Sequence, residues 1–157
     1  MQRSYTKLIN GCEDLNYYSR LKKLKLMSLQ RRRERYIIIY TWKLLHNKVP
    51  NDFDITFYVT ARHGWKAKCP VTPKNSPKYV ETIYENSFER KAVKLWNILP
   101  LEVNTSKTLE RLKINLGKFL STFPDEPPSQ GTTVPAKISS NLVHRAVIAA
   151  EAKSKSK

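Results

Sequence analysis

Residues 36–45, Tyr-Ile-Ile-Ile-Tyr-Thr-Trp-Lys-Leu-Leu, are apolar on nearly every side of a helix, and they follow directly on Arg31-Arg32-Arg33-Glu34-Arg35. The apolar half must lie in a core. The charged half cannot all join it, because three consecutive arginines spread over about 200° of a helix's circumference. Ser28 is placed as an N-cap, so the pattern predicts a helix over 29–47. Leu29, Arg33, Tyr36, Tyr40 and Leu44 share one stripe of it, and Ile37 and Leu45 widen that stripe. Ile37-Ile38-Ile39 also has strand propensity, but the strong helix formers on both sides favour helix. The run is far shorter than the roughly 18–20 residues a bilayer span requires, so it reads as a buried helix and implies no membrane partner.

The flanking sequence continues in helices. Tyr5, Leu8 and Ile9 keep helical spacing over 2–9, and Asn10-Gly11 ends that segment. Asp14 is placed to cap a second helix through Tyr17, Tyr18, Leu21 and Leu24. After Pro50-Asn51-Asp52 the character changes. Ile55, Phe57 and Val59 alternate with polar neighbours, residues 79–84 are rich in Tyr, Val, Thr and Ile, and Pro70, Pro73 and Pro77 lie between. This predicts short strands or extended loops over about 50–85. Asn86-Ser87-Phe88-Glu89 has capping-box spacing and opens a helix with Phe88, Ala92, Leu95, Trp96 and Leu99 on one face. A further helix over 107–121 carries Leu109, Leu112, Leu116, Phe119 and Leu120. The expected fold is mainly α: a small basic helical domain over 1–123 with an irregular or β-containing insert. A Pro-rich linker and disordered C-terminal tail over 124–157 would complete it.

Charge narrows the function. The chain carries 29 Lys and Arg against 13 Asp and Glu, a net +16 in 157 residues. Residues 1–48 hold twelve of the bases and three of the acids, a net +9, and the remaining +7 is spread over 109 residues. Between positions 20 and 35, Arg20, Lys22, Lys23, Lys25, Arg31, Arg32, Arg33 and Arg35 face only Glu34. Such side chains neutralise phosphates and release counterions, giving salt-dependent affinity without sequence readout, so RNA or DNA is the expected partner. A solvated helix face is the plainer alternative. Tyr17, Tyr18, Tyr36 and Trp42 lie near these charges and have the chemistry to stack on bases, although helical spacing reads more simply as core. Trp96 shares an apolar face and reads as core.

Nothing in the sequence points to catalysis or a cofactor. Cys12, Cys69, His46, His63 and His144 lack metal-ligand spacing, and there is no nucleophile elbow, phosphate-binding loop or zinc-protease motif. Asp52 and Asp54 are the nearest approach to a carboxylate pair and read as a turn device. Two unpaired cysteines and the absence of an apolar leader near Met1 suggest an intracellular chain, nuclear or cytoplasmic. No small-molecule substrate is implied.

Three stretches together carry a resemblance. They are Gln2 to Ile9 with Leu15 to Leu26, Ser28 to Arg33 running on to Tyr40-Thr41-Trp42-Lys43-Leu44-Leu45-His46, and Ser87-Phe88 leading to Leu95-Trp96-Asn97-Ile98-Leu99-Pro100 before a Leu-rich helix. In this order they resemble the C-terminal region of the reverse transcriptase (RNA-directed DNA polymerase) polyprotein of non-LTR, LINE-type, jockey-like retrotransposons, over about residues 2–128. The resemblance implies a region that holds RNA template or DNA target, next to an upstream polymerase domain. The family's aromatic-x-Asp-Asp box and its endonuclease are absent here, so no catalytic residue is carried over, and the chain reads as a fragment or a decayed copy of a transposable element. The expected function is non-catalytic nucleic-acid binding. A helical protein-interaction fragment and a non-functional relic are the alternatives.

Overall fold

Short polar side chains start most of the helices in this chain. In the computed structural model, which describes residues 2–71 and 76–125, Asn16 Oδ1 accepts from the Ser19 N–H, Ser28 Oγ from Arg31, Ser87 Oγ from Arg90 and Thr108 Oγ1 from Arg111. Each satisfies an N–H that the helix itself leaves unpaired and stabilises it by about 1 kcal/mol. The elements in order are α1 (Gln2–Lys7), α2 (Tyr17–Lys23), α3 (Leu29–Leu45), β1 (Thr56–Thr60), β2 (Gly64–Lys68), α4 (Lys78–Glu85), α5 (Phe88–Asn97), α6 (Leu101–Asn104) and α7 (Leu109–Ser121). The described residues are therefore mainly helical with one two-stranded antiparallel sheet, as the pattern predicted. Nearly all of the expected tail, 126–157, lies outside the described residues.

Contacts divide the chain into two units. Among the described residues, one comprises 2–34 and 123–125, and the other lies within Arg35–Thr122. The division falls within α3.

The first unit is organised by polar side chains. Arg20 is buried, with Nε donating to Thr6 Oγ1 at 3.2 Å, one terminal nitrogen to the Leu15 carbonyl and the other to the Arg3 carbonyl at 3.3 Å. Tyr17 Oη donates to Gln2 Oε1, and Gln2 Nε2 donates to the Met27 carbonyl. The apolar triplet that marked the first helix lies outside the core: Tyr5, Leu8 and Ile9 are exposed and Thr6 faces in. α2 ends on Lys25 in the left-handed region at φ 53°, with the Leu26 N–H returning to the Leu21 carbonyl. That is a Schellman stop built without glycine. The cap of α2 is Asn16 rather than Asp14, because Asn16 is the residue immediately before the first helical turn.

The second unit has an apolar core of Ile38, Trp42, Leu44, Ile55, Ala92, Leu95, Trp96, Leu99, Val103, Leu112, Leu116 and Leu120. The buried side of α3 is Arg31, Glu34, Ile38, Thr41 and Trp42, whereas Leu29, Arg33 and Tyr36 of the expected stripe are exposed. Three polar residues, Arg31, Glu34 and Thr41, join the inward row, which hides it from a search for apolar periodicity. The hairpin turns through Ala61–His63 onto Gly64 at φ 64°. A Cβ there would lie 2.5 Å from Asn104 Oδ1, so glycine is needed for space as well as for φ. The Trp-Asn-x-Leu-Pro stretch docks α5 on this hairpin. Trp96 Nε1 donates to the Trp65 carbonyl, and Asn97 pairs with both backbone groups of Ala67 at 2.8 and 2.9 Å, as a neighbouring strand would. Leu99 is buried and Pro100 begins α6. Residues 79–84, expected as short strand or extended loop, form α4: Pro77 precedes its first turn and Thr82 Oγ1 donates back to the Lys78 carbonyl.

Candidate nucleic-acid interface

The eight basic side chains singled out in the sequence separate into buried and exposed sets. Arg20 and Arg31 leave the set. Arg20 is enclosed by the carbonyls and hydroxyl that ordered the first unit. Arg31, 2% exposed, donates to the Pro124 carbonyl at 3.0 Å and lies 3.6 Å from Asp125 and 3.9 Å from Glu34. A guanidinium held by internal acceptors and closed to solvent cannot meet a phosphate. Arg35 is half-buried, with a buried Nε that has no partner among the described residues.

Lys22, Lys23, Lys25, Arg32 and Arg33 are exposed. Among the described residues none of the five forms an ion pair; Lys23 donates to the Gly11 carbonyl at 2.6 Å. Lys22 and Lys23 stand in the last turn of α2, where the helix dipole favours cations. Arg32 and Arg33 stand near the start of α3, where it does not. The carboxylate of Asp125 answers that unfavourable end. Its Oδ2 accepts from the Ser28 N–H at 2.6 Å and its Oδ1 from the Ser28 hydroxyl at 2.7 Å. The sequence offers no signal for this contact, which joins residues 97 apart.

The aromatics beside these charges divide as well. Trp42 is buried, its Nε1 donating to the Ser106 carbonyl and its ring stacked at 4.0 Å on His46. Tyr17 carries Arg3 over its face at 4.8 Å. Tyr36 is 66% exposed and is the one open ring of the four.

Other ionisable groups serve local structure. Glu85 binds Lys94 and Arg90, and these hydrogen bonds, Lys94's first, hold its carboxyl below the usual range against the opposing effect of burial. Burial lowers the Lys66 amine, which donates to the Asn97 carbonyl at 2.6 Å. Asp52 and Asp54 are both exposed, and among the described residues no three His, Cys, Asp or Glu side chains converge as a metal site would require. No helix among those residues is long and apolar enough to cross a membrane. Three cations the sequence reading passed over, Lys107, Arg111 and Lys118, line one cleft. No protein-family model matches the chain, and no curated protein and no solved structure matches it either.

Proposed function

We propose that this chain is a non-catalytic nucleic-acid-binding module, related to the C-terminal region of non-LTR retrotransposon reverse transcriptases, that holds RNA or DNA mainly through phosphates. The observation that carries the reading is the exposed set Lys22, Lys23, Lys25, Arg32 and Arg33, five cations with no carboxylate partner among the described residues. Each is open to a phosphate oxygen, and binding there would release condensed counterions. Arg32 and Arg33 favour an anion for a second reason, since bound phosphate offsets the adverse dipole at the start of α3.

A filter-binding titration on single-stranded RNA, single-stranded DNA and duplex DNA tests this. Five phosphate contacts give a log–log salt slope of about −3.5 on a single strand, so affinity should fall roughly a hundredfold between 50 and 200 mM salt. Arg32→Ala/Arg33→Ala should flatten the slope by about 1.4. A flat salt response, or a double variant as tight as wild type, overturns the reading. The rival reading, a protein-interaction fragment, required an uncovered apolar face on α7. Leu112, Leu116 and Leu120 are 0–3% exposed, so that helix does not favour it.

A further inference from the structure

Outside residues 1–48 the positive charge is dispersed along the sequence, but folding of the Arg35–Thr122 unit gathers part of it. α6, the Thr105–Thr108 connection and α7 enclose an open cleft of about 810 Å³, a volume typical of ligand sites. Lys107, Arg111 and Lys118 line it, against a single carboxylate, Glu102. All three cations are exposed, and among the described residues none is in an ion pair.

The arrangement follows from the sequence of α7. Leu112, Leu116 and Leu120 take the core side. Arg111, Asn115, Lys118 and Phe119 fall on a face centred roughly 120° away round the helix. The floor of the cleft is tied by Asn115, whose Nδ2 donates to the Glu102 carbonyl at 2.8 Å and to Ser106 Oγ at 3.3 Å. With both amide hydrogens engaged, Asn115 Oδ1 is left to accept. Ser106 and Thr105 hydroxyls are turned to the α6 carbonyls of Glu102 and Leu101. The three cations, with the Thr108 hydroxyl, therefore provide the side-chain donors for an anion, and half-buried Phe119 provides an aromatic wall.

The spacing selects the shape of that anion. Arg111 and Lys118 are two turns, about 10 Å, apart along the helix axis, a spacing wider than a single phosphate group. A linear polyanion reaches both. An aromatic ring and an unengaged acceptor between the cations suit a base more than a bare phosphate chain. We propose that the α6–α7 cleft is a second nucleic-acid subsite that takes a single-stranded segment. Its phosphates meet Lys107, Arg111 and Lys118, a base packs on Phe119, and Asn115 Oδ1 accepts from a base amine or a ribose hydroxyl. The strand must be single because a base inside a duplex has no open face to offer. This subsite rests on the nucleic-acid reading above.

The test is an anisotropy titration of the full chain with a fluorescein-labelled single-stranded RNA and with the same RNA as a duplex. Arg111→Ala/Lys118→Ala should flatten the single-strand salt slope by about 1.4. Phe119→Leu should weaken single-strand binding by fivefold or more and leave duplex binding unchanged. Inorganic polyphosphate should compete less well than unlabelled RNA. Wild-type affinity in Arg111→Ala/Lys118→Ala alongside a loss in Arg32→Ala/Arg33→Ala overturns the cleft and leaves the wider reading standing. A wild-type chain that binds no RNA overturns both. An Arg111→Ala/Lys118→Ala loss that is as large on duplex as on single strand also overturns the cleft. Because Phe119→Leu touches packing, crosslinking of 4-thiouridine RNA to the wild-type chain gives an independent reading. Crosslinks within 107–122 are expected, and crosslinks confined to 20–35 overturn the proposal.

Discussion

The two units keep their interiors by different means. In the Arg35–Thr122 unit the fully buried side chains are chiefly Trp96, Ile38, Leu112, Leu116 and Val103, and its hydrogen bonds orient packing that apolar area already favours. In the first unit Thr6, Arg20, Ser28, Arg31 and Glu34 are buried, joined only by Cys12 and Leu21 among apolar residues, while Tyr5, Leu8, Leu26 and Leu29 remain outside. Its cohesion depends on directional bonds to charged groups, and such an interior tolerates error poorly, since a lost partner leaves a charge buried. The same composition explains why the first unit misled a reading of charge. Arginines there do the structural work that leucines do in the other.

The sharpest way to test that contrast is to remove one keystone from each. Trp96→Ala should cost about 3–5 kcal/mol, read from urea unfolding followed by tryptophan fluorescence, since all three tryptophans lie in the Arg35–Thr122 unit. Arg31→Ala should cost about 3 kcal/mol, read as faster amide exchange over residues 2–34, because Glu34 stays buried without it. Arg31→Met/Glu34→Leu should recover most of that loss, as apolar replacement of a whole buried ion pair does. A double variant no better than Arg31→Ala would mean that the bonds to Pro124 and Asp125 dominate.

Smaller effects sharpen the picture. Ser28→Ala removes the cap of α3 and the hydroxyl bond to Asp125 together, leaving the backbone bond, and should cost about 1–2 kcal/mol by the same exchange measurement. Lys25→Gly relieves a left-handed backbone and should stabilise by about 0.5–1 kcal/mol while weakening RNA binding, so stability and affinity move in opposite directions. Glu85→Gln should cost about 0.5 kcal/mol at neutral pH, because this pair is partly exposed. Glu85 has its folded pKa below the ordinary 4.5. Its contribution is therefore complete above pH 4.5 and is lost as pH falls through the lower folded value. Melting curves of wild type and Glu85→Gln should converge in acid; a constant gap between them would show that the clamp acts through packing.

Much of the fold was legible because local chemistry sets it. Ser28 caps α3, Thr108 caps a helix whose leucines pack as spaced, and Trp96 is buried as its neighbours require. α4 was missed because its β-branched and aromatic residues have strand propensity, and only the turn after Pro77 decides for helix. The inward row of α3 was missed because Arg31 and Glu34 occupy it. The candidate interface was legible at Lys22, Lys23, Lys25, Arg32 and Arg33, whose exposure needs no tertiary information. Arg31 was not, since its burial depends on residues more than ninety positions away. The α6–α7 cleft was equally hidden. Lys107, Arg111 and Lys118 look like scattered surface charge until α6 turns against α7.

The bond between Asp125 and Ser28 also orders events in time. The unit from Arg35 to Thr122 is continuous in sequence. The N-terminal unit is discontinuous, and closing a loop of this length carries an entropic cost that a folded intervening segment reduces by bringing the two ends near. During synthesis residues 1–34 emerge before the Arg35–Thr122 unit, yet Asp125, whose carboxylate binds Ser28 at the start of α3, follows that unit. The stretch made before the Arg35–Thr122 unit is thus completed by a carboxylate made after it.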